Sequence, residues 1–154
     1  MSITKEIPDF MLIERRIFNV TQETLFNAWV QAEALQVWFG AGDLHVESVE
    51  LDLKVGGEYK IGLRKEGGDL FYHRGEYQEI TPHDRLVFTW LLEDKGCSDC
   101  SGEHGETIVT VNFIEKGRQT ELVLRHEKLP SEASRSNHSM GWNACFDILA
   151  SYLK

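Results

Sequence analysis

Histidines, cysteines and an abundance of aromatic rings are the side chains of this sequence that could do chemistry. Cys97-Ser98-Asp99-Cys100, with His104 four residues on, is the spacing that hints at a metal, because two thiolates two residues apart can chelate zinc. A structural zinc site needs four ligands. No second Cys pair lies nearby, and Cys145 falls on the apolar stripe of the final helix, so a redox-sensitive or incidental loop is the favoured reading. No metal or other cofactor is expected. His126 alternates with Leu122 and Leu124 and should point inward, where it could bond a ligand carbonyl or phenol or move a proton near neutral pH. The plainer and favoured reading is an imidazole bonded to the helix backbone at the rim. His73 and Tyr77 share a strand face by simple alternation unless Gly75 marks a bulge. No Gly-x-Ser-x-Gly elbow or His-Glu-x-x-His pair occurs, Gly56-Gly57 and Gly67-Gly68 read as turns, and the carboxylates are scattered. No catalytic residue is assigned.

The aromatic side chains carry the second signal. Trp29, Trp38, Trp90 and Trp142, with Phe26, Phe39, Tyr59, Tyr77, Phe88 and Phe146, exceed what a thin core needs. Aromatic walls with a few polar handles suit an apolar ligand, since the walls displace water and the handles orient what enters. Each ring also has the ordinary alternative of packing against its neighbours. Composition narrows the choice of partner. The 154 residues suit one domain, and 16 Lys+Arg against 25 Asp+Glu give −9, with no basic stretch for nucleic acid. No apolar window is long enough to span a membrane and the N-terminus lacks an export signal, so the expectation is a cytoplasmic protein, monomer or homodimer. On that reading the glycosylation-type triplets at Asn19 and Asn137 (Asn137-His138-Ser139) are chance.

The elements that position these groups follow from periodicity. Residues 1–9 read as a flexible tail and 10–154 as the single domain. A strand over Phe10 to Val20 stops at Thr21, which caps a helix carrying Leu25, Phe26 and Trp29, with Val20 and Leu25 placed as a hydrophobic staple. A short helix from Ala32 to Phe39 follows. Six further strands with period two run from Leu44 to Glu127, broken by glycine-containing turns. Ser131 starts a last helix whose stripe is Trp142, Cys145, Phe146, Leu149, Tyr152 and Leu153. The sum is an α+β fold in which a seven-stranded curved antiparallel sheet faces one long C-terminal helix, with two short helices between strands 1 and 2.

Six phrases carry a resemblance: Thr21 to Trp29 (TQETLFNAW), Leu35 to Phe39, Asp52 to Tyr59, Gly75 to Ile80, Arg85 to Trp90, and Gly141-Trp142. In this order and spacing the chain resembles the START-like (SRPBCC, helix-grip) superfamily, and within it the AHSA-type branch related to the activator of heat-shock-protein-90 ATPase. The resemblance implies a mostly apolar cavity between sheet and final helix, holding a small hydrophobic or amphipathic, lipid-like or polyketide-like molecule. The expected wall is Phe26, Trp29, Trp38, Phe39, Tyr59, Ile61, Tyr77, Val111, Phe113, Leu124, His126, Trp142, Phe146 and Leu149. Two other roles compete with ligand binding. One is a stress-response co-activator of a chaperone, acting through its surface. The other is a cyclase- or hydrolase-type enzyme using the same cavity. The eukaryotic activator carries a further N-terminal domain for which 154 residues leave no room, which favours the cavity over the chaperone.

Overall fold

A computed structural model describes residues 10–40, 44–68, 70–93, 106–129 and 131–153. The elements run β1 (Phe10–Phe18), α1 (Gln22–Val30), α2 (Ala32–Trp38), β2 (Leu44–Leu51), β3 (Glu58–Lys65), β4 (Leu70–Thr81), β5 (Arg85–Glu93), β6 (Thr107–Lys116), β7 (Gln119–Leu129) and α3 (Glu132–Tyr152). Both expected caps form. Thr21 Oγ1 accepts from the Thr24 amide at 3.3 Å, and Ser131 Oγ accepts from the Ser134 amide at 3.0 Å, each satisfying a donor that the first helical turn leaves unpaired.

The strands form one antiparallel sheet in the order β1-β7-β6-β5-β4-β3-β2. Strict alternation along β3, β6 and β7 turns Tyr59, Ile61 and Leu63, then Val109, Val111 and Phe113, then Leu122, Leu124 and His126 to the concave face, all buried. The helix α3 rests on β1, β7 and α2. Its outer flank is tied to β1 by Arg16 with Asp147 at 2.7 Å and by Ser139 donating to Glu14 at 2.6 Å. The Arg16 pair is exposed enough to contribute at most about 1 kcal/mol. Burial of the apolar stripe is what holds α3.

Several element ends differ from the sequence expectation by one or two residues, α2 ending at Trp38 among them. Strand β1 ends at Phe18, two residues early. Strand β7 runs on to Leu129 through Lys128, whose φ of 68° is left-handed. Tyr152, placed on the buried stripe by periodicity, is 44% exposed at the last residue of the helix.

Gly75 does a specific job. A Cβ at this position would lie 2.0 Å from the Thr89 carbonyl oxygen, so only glycine permits β4 to approach β5 this closely. At the same place the Glu76 amide donates to Thr89 Oγ1 at 2.8 Å, and Tyr59 donates its hydroxyl to Thr89 O at 2.6 Å. The β4–β5 register shift lies instead between Tyr77 and Glu79. His73 and Tyr77 thus keep a common face, and His73 stacks on Trp90 with ring centres 4.3 Å apart.

Candidate functional site

The interior divides into two parts. Around α1 and α2 the aromatic rings interlock: Trp29 meets Trp38 at 4.7 Å, Trp142 at 5.8 Å and Phe113 at 6.3 Å, and Phe26 meets Phe113 at 5.4 Å. The Trp38 indole donates to Ala28 O at 2.8 Å, fixing α2 against α1. The gap left beside Trp29, Tyr59, Tyr77 and Phe88 is about 20 Å³, room for roughly one water molecule.

Beneath the N-terminal half of α3 the interior is not filled. A cavity of about 620 Å³ lies between α3 and strands β2 to β5, within the range of about 300–1,000 Å³ found for small-molecule sites. Leu44, Leu63, Phe71, Phe39, Trp90 and Trp142 supply apolar walls, while Lys65, His73, Asn137 and His138 supply the polar ones. The cavity arises because α3 turns Gly141, Ala144 and Cys145 towards the sheet, and these side chains are too short to reach it. A Cβ added to Gly141 would meet nothing within 4 Å. Lys65, Asn137, Met140 and Gly141 are exposed and mark the rim.

Three histidines surround Trp90 at the inner end. The most deeply buried, His126, is completely committed. Thr107 Oγ1 lies 3.1 Å from the Trp90 carbonyl and 2.8 Å from His126 Nε2. A carbonyl cannot donate, so the single hydroxyl proton goes to it and His126 Nε2–H donates to Thr107. The other nitrogen, Nδ1, accepts from the Trp142 indole at 3.2 Å. His126 is therefore a neutral Nε2–H imidazole facing a donor that cannot retreat. Burial, reinforced by the charges of His138 and His73, pushes its pKa down to about 2. His138 lies against it at 4.7 Å and directs Nδ1–H to Ser134 O at 2.8 Å, the carbonyl one turn back.

His73 differs in kind. Its Nδ1 is buried and has no hydrogen-bond partner, and the same holds for the Trp90 Nε1–H beside it. Burial first, and the charge of His138 second, lowers the His73 pKa to about 3, so it too is neutral at physiological pH. Two adjacent cavity-wall residues thus each keep a polar ring nitrogen that the protein does not satisfy. Cys145 also lines the cavity, but its thiol donates to Phe39 O at 3.2 Å, and burial raises its pKa to about 12, which makes it a poor nucleophile.

Of the wall residues expected from sequence, Phe39 and Trp142 face this cavity. Trp29, Tyr59, Ile61 and Tyr77 line the small gap instead, together with Phe39. Phe26, Trp38, Val111, Phe113, Leu124, His126, Phe146 and Leu149 belong to the packed core and border neither space. His126 is bonded not to helix backbone at the rim but to Thr107 and the Trp142 side chain. Sequence reasoning passed over His138, Lys65, Phe71 and the small helix residues. The usable signal was Gly141-x-x-Ala144-Cys145 beneath a sheet of large residues. Cys97, Cys100 and His104 lie outside the described residues; among the described residues no cluster could hold a metal ion and no helix is long and apolar enough to cross a membrane.

Comparison with known proteins accounts for this architecture. The chain aligns at 23% identity with protein CV1439 of Chromobacterium violaceum, covering 93% of this chain and 96% of that one with a TM-score of 0.82. It aligns at 27% identity with the AHSA1 protein of Silicibacter pomeroyi, covering 94% and 97% with a TM-score of 0.77. Protein Ms6760 of Mycobacterium smegmatis shares only 12% identity, yet covers 100% of this chain and 96% of its own with a TM-score of 0.80, so it shows the fold alone. No curated protein matches the sequence significantly. The family model described as "Activator of Hsp90 ATPase homolog 1-like protein" matches residues 19–154, and with this helix-grip fold the chain belongs to that AHSA-type, START-like family.

Proposed function

We propose that this protein binds a small hydrophobic or amphipathic molecule in the cavity between α3 and strands β2 to β5. The observation that carries the reading is the cavity itself, about 620 Å³ with a mostly apolar wall, against about 20 Å³ for the gap beside Trp29. Leaving such a volume open costs stability, because wall atoms forgo dispersion contacts and close packing is the norm. A ligand that fills it recovers those contacts. The family description speaks of activating the Hsp90 ATPase; for this chain that role rests on kinship alone, whereas binding rests on kinship and geometry together. An enzymatic role for His126 has weaker support, since both its nitrogens are already engaged.

The test uses 8-anilinonaphthalene-1-sulfonate, a fluorescent apolar probe. Wild-type protein should enhance its emission saturably, and Ala144→Trp, which puts an indole into the cavity, should abolish the enhancement while the circular dichroism spectrum is kept. Equal probe binding by the two proteins would remove the cavity as the site.

A further inference from the structure

The two edges of the sheet are finished differently. At one, β2 exposes His45, Glu47 and Glu50, and its pairing with β3 slips between Val46 and Ser48. Charge and a bulge are common means of stopping an edge from pairing with another chain. At the other, β1 exposes Ile13 and Ile17, at 47% and 53%, and its pairing with β7 runs without a break from Leu12 to Phe18. Among the described residues no strand lies beyond it. Neither isoleucine finds an apolar neighbour across the ladder, since Ile13 pairs with Arg125 and Ile17 with Glu121. Both therefore lack on β7 the cross-strand contact by which a branched side chain stabilises a sheet, and the side still open to them is the free edge.

We propose that β1 is a self-association edge, pairing antiparallel with β1 of a second copy about a two-fold axis at Arg15, so that the two seven-stranded sheets become continuous. An axis normal to the sheet keeps both concave faces on one side, so it passes through a residue and each side chain lies opposite one of its own face. Arg15 is the middle of the unbroken stretch, and centring there uses all of it. On the outer face Ile13 then lies opposite the partner's Ile17, and on the concave face Glu14 lies opposite the partner's Arg16, each twice by symmetry. Moving the axis by one residue either way sets Glu14 or Arg16 against its own copy and an isoleucine against the partner's Arg15. Moving it further runs the pairing into the irregularity at Met11 or off the strand end. Only the Arg15 axis matches apolar with apolar and charge with opposite charge. Glu14 and Arg16 already have partners on α3, so across the axis they add complementary charge rather than a first partner. The one like-charged contact is Arg15 with its own copy, eased by Glu121 at 3.8 Å. Strand β1 contributes nothing to the cavity wall, so self-association and ligand binding are separable.

A strand pair alone is smaller than the roughly 1,200–2,000 Å² interface of a stable complex, so the dimer is a reversible one, with a dissociation constant on the order of 100 µM. Sedimentation equilibrium between about 10 µM and about 1 mM brackets that value, and the weight-average mass should climb across it from the monomer's towards twice the monomer's. Ile17→Lys, at an exposed position, should keep the wild-type circular dichroism spectrum and melting temperature and hold the mass at the monomer value throughout. Oxidative cross-linking with copper phenanthroline reads the register, in a Cys97→Ser, Cys100→Ser background that leaves only the buried Cys145. Arg15→Cys should give a disulfide-linked dimer by itself, because the residue on the axis meets its own copy. Ile13→Cys and Ile17→Cys should each stay monomeric alone, since either residue lies about 13 Å from its own copy, beyond a disulfide's reach. Mixed together they should cross-link. A wild-type protein that is still monomeric at the highest concentration, a dimer that persists in Ile17→Lys, or an Ile13→Cys variant that cross-links with itself as readily as Arg15→Cys overturns the proposal.

Discussion

The packed half and the hollow half of this interior are built on the same sheet and face the same helix, and they differ in the volume set against the sheet, which α1 and α2 fill on one side and the small residues of α3 leave open on the other. Towards β1 and β7 the helix offers Phe146 and Leu149, both fully buried, and Phe18 meets Phe146 edge-on at 6.2 Å. Towards β3 and β4 it offers Gly141, Ala144 and Cys145, and the gap opens. Trp142 stands at the boundary: it stacks on Trp29 on one side and lines the cavity on the other, while its indole N–H fixes His126. Unpaired ring nitrogens occur in both halves. Both nitrogens of His126 have partners, whereas Trp29 Nε1 in the packed half and His73 Nδ1 and Trp90 Nε1 beside the cavity have none. A fold can therefore be filled and unfinished at once, with the unfinished part set against one face of one helix.

The largest effect should come from breaking the filled half. Phe146→Ala should cost about 3–5 kcal/mol in urea denaturation, the range for removing a fully buried ring from a region that cannot collapse. A loss below about 1 kcal/mol would mean that the two halves are equally loose.

A smaller effect separates the halves by acidity. Both His73 and His126 have pKa values below the ordinary histidine value, at about 3 and about 2. In the unfolded chain each takes up a proton near pH 6.5 and in the folded chain it does not, so the unfolded state binds more protons as pH falls. The stabilising contribution is complete above about pH 6.5 and is lost progressively below it. The slope is at most about 1.4 kcal/mol per pH unit for each group. Between pH 6.5 and 5, wild-type stability should fall with a slope approaching twice that, and His73→Phe should halve the slope. If His73→Phe leaves the slope unchanged, water reaches the His73 ring and the inner end of the cavity is not dry.

The elements and the faces were legible in the sequence, because period two and period 3.6 report which way a side chain points. Tyr59, Ile61 and Leu63 were assigned to the inner face and are there, and Thr21 and Ser131 were assigned as caps and are caps. Tyr152 misled because periodicity continues to the last turn whether or not anything covers it. The site itself was much less visible. Periodicity says that a residue is inside but not how far the opposing layer lies from it, and a cavity is a difference between two large volumes. Counting large rings pointed to Phe26, Trp38 and Phe113, which fill space, when the absence of volume at Gly141 and Ala144 was the informative quantity. His138 entered only as the middle residue of the triplet Asn137-His138-Ser139, taken as chance. Only the helix register brings it over Trp90 and His126. Thr107, the partner of His126, would have been harder still, since the hydroxyl that fixes the His126 tautomer comes from a different strand, paired through the ladder of Val109 with His126.

The smallest expected effect has the most telling sign. Gly141 lies within α3, and an added Cβ there would touch nothing within 4 Å. Glycine in a helix interior is less favourable than alanine by about 0.5–1 kcal/mol, chiefly through the entropy of the unfolded chain. Gly141→Ala should therefore stabilise the protein by up to that amount, raising the melting temperature by about 2–4 °C. The same small-to-large change on the filled side should do the opposite: Ala34 is 1% exposed, and Ala34→Val should destabilise by about 1–3 kcal/mol through overpacking. Differential scanning calorimetry of the two variants gives the signs directly. If Gly141→Ala lowers the melting temperature, the methyl group meets a wall, and the helix face that sets the hollow half apart is already closed.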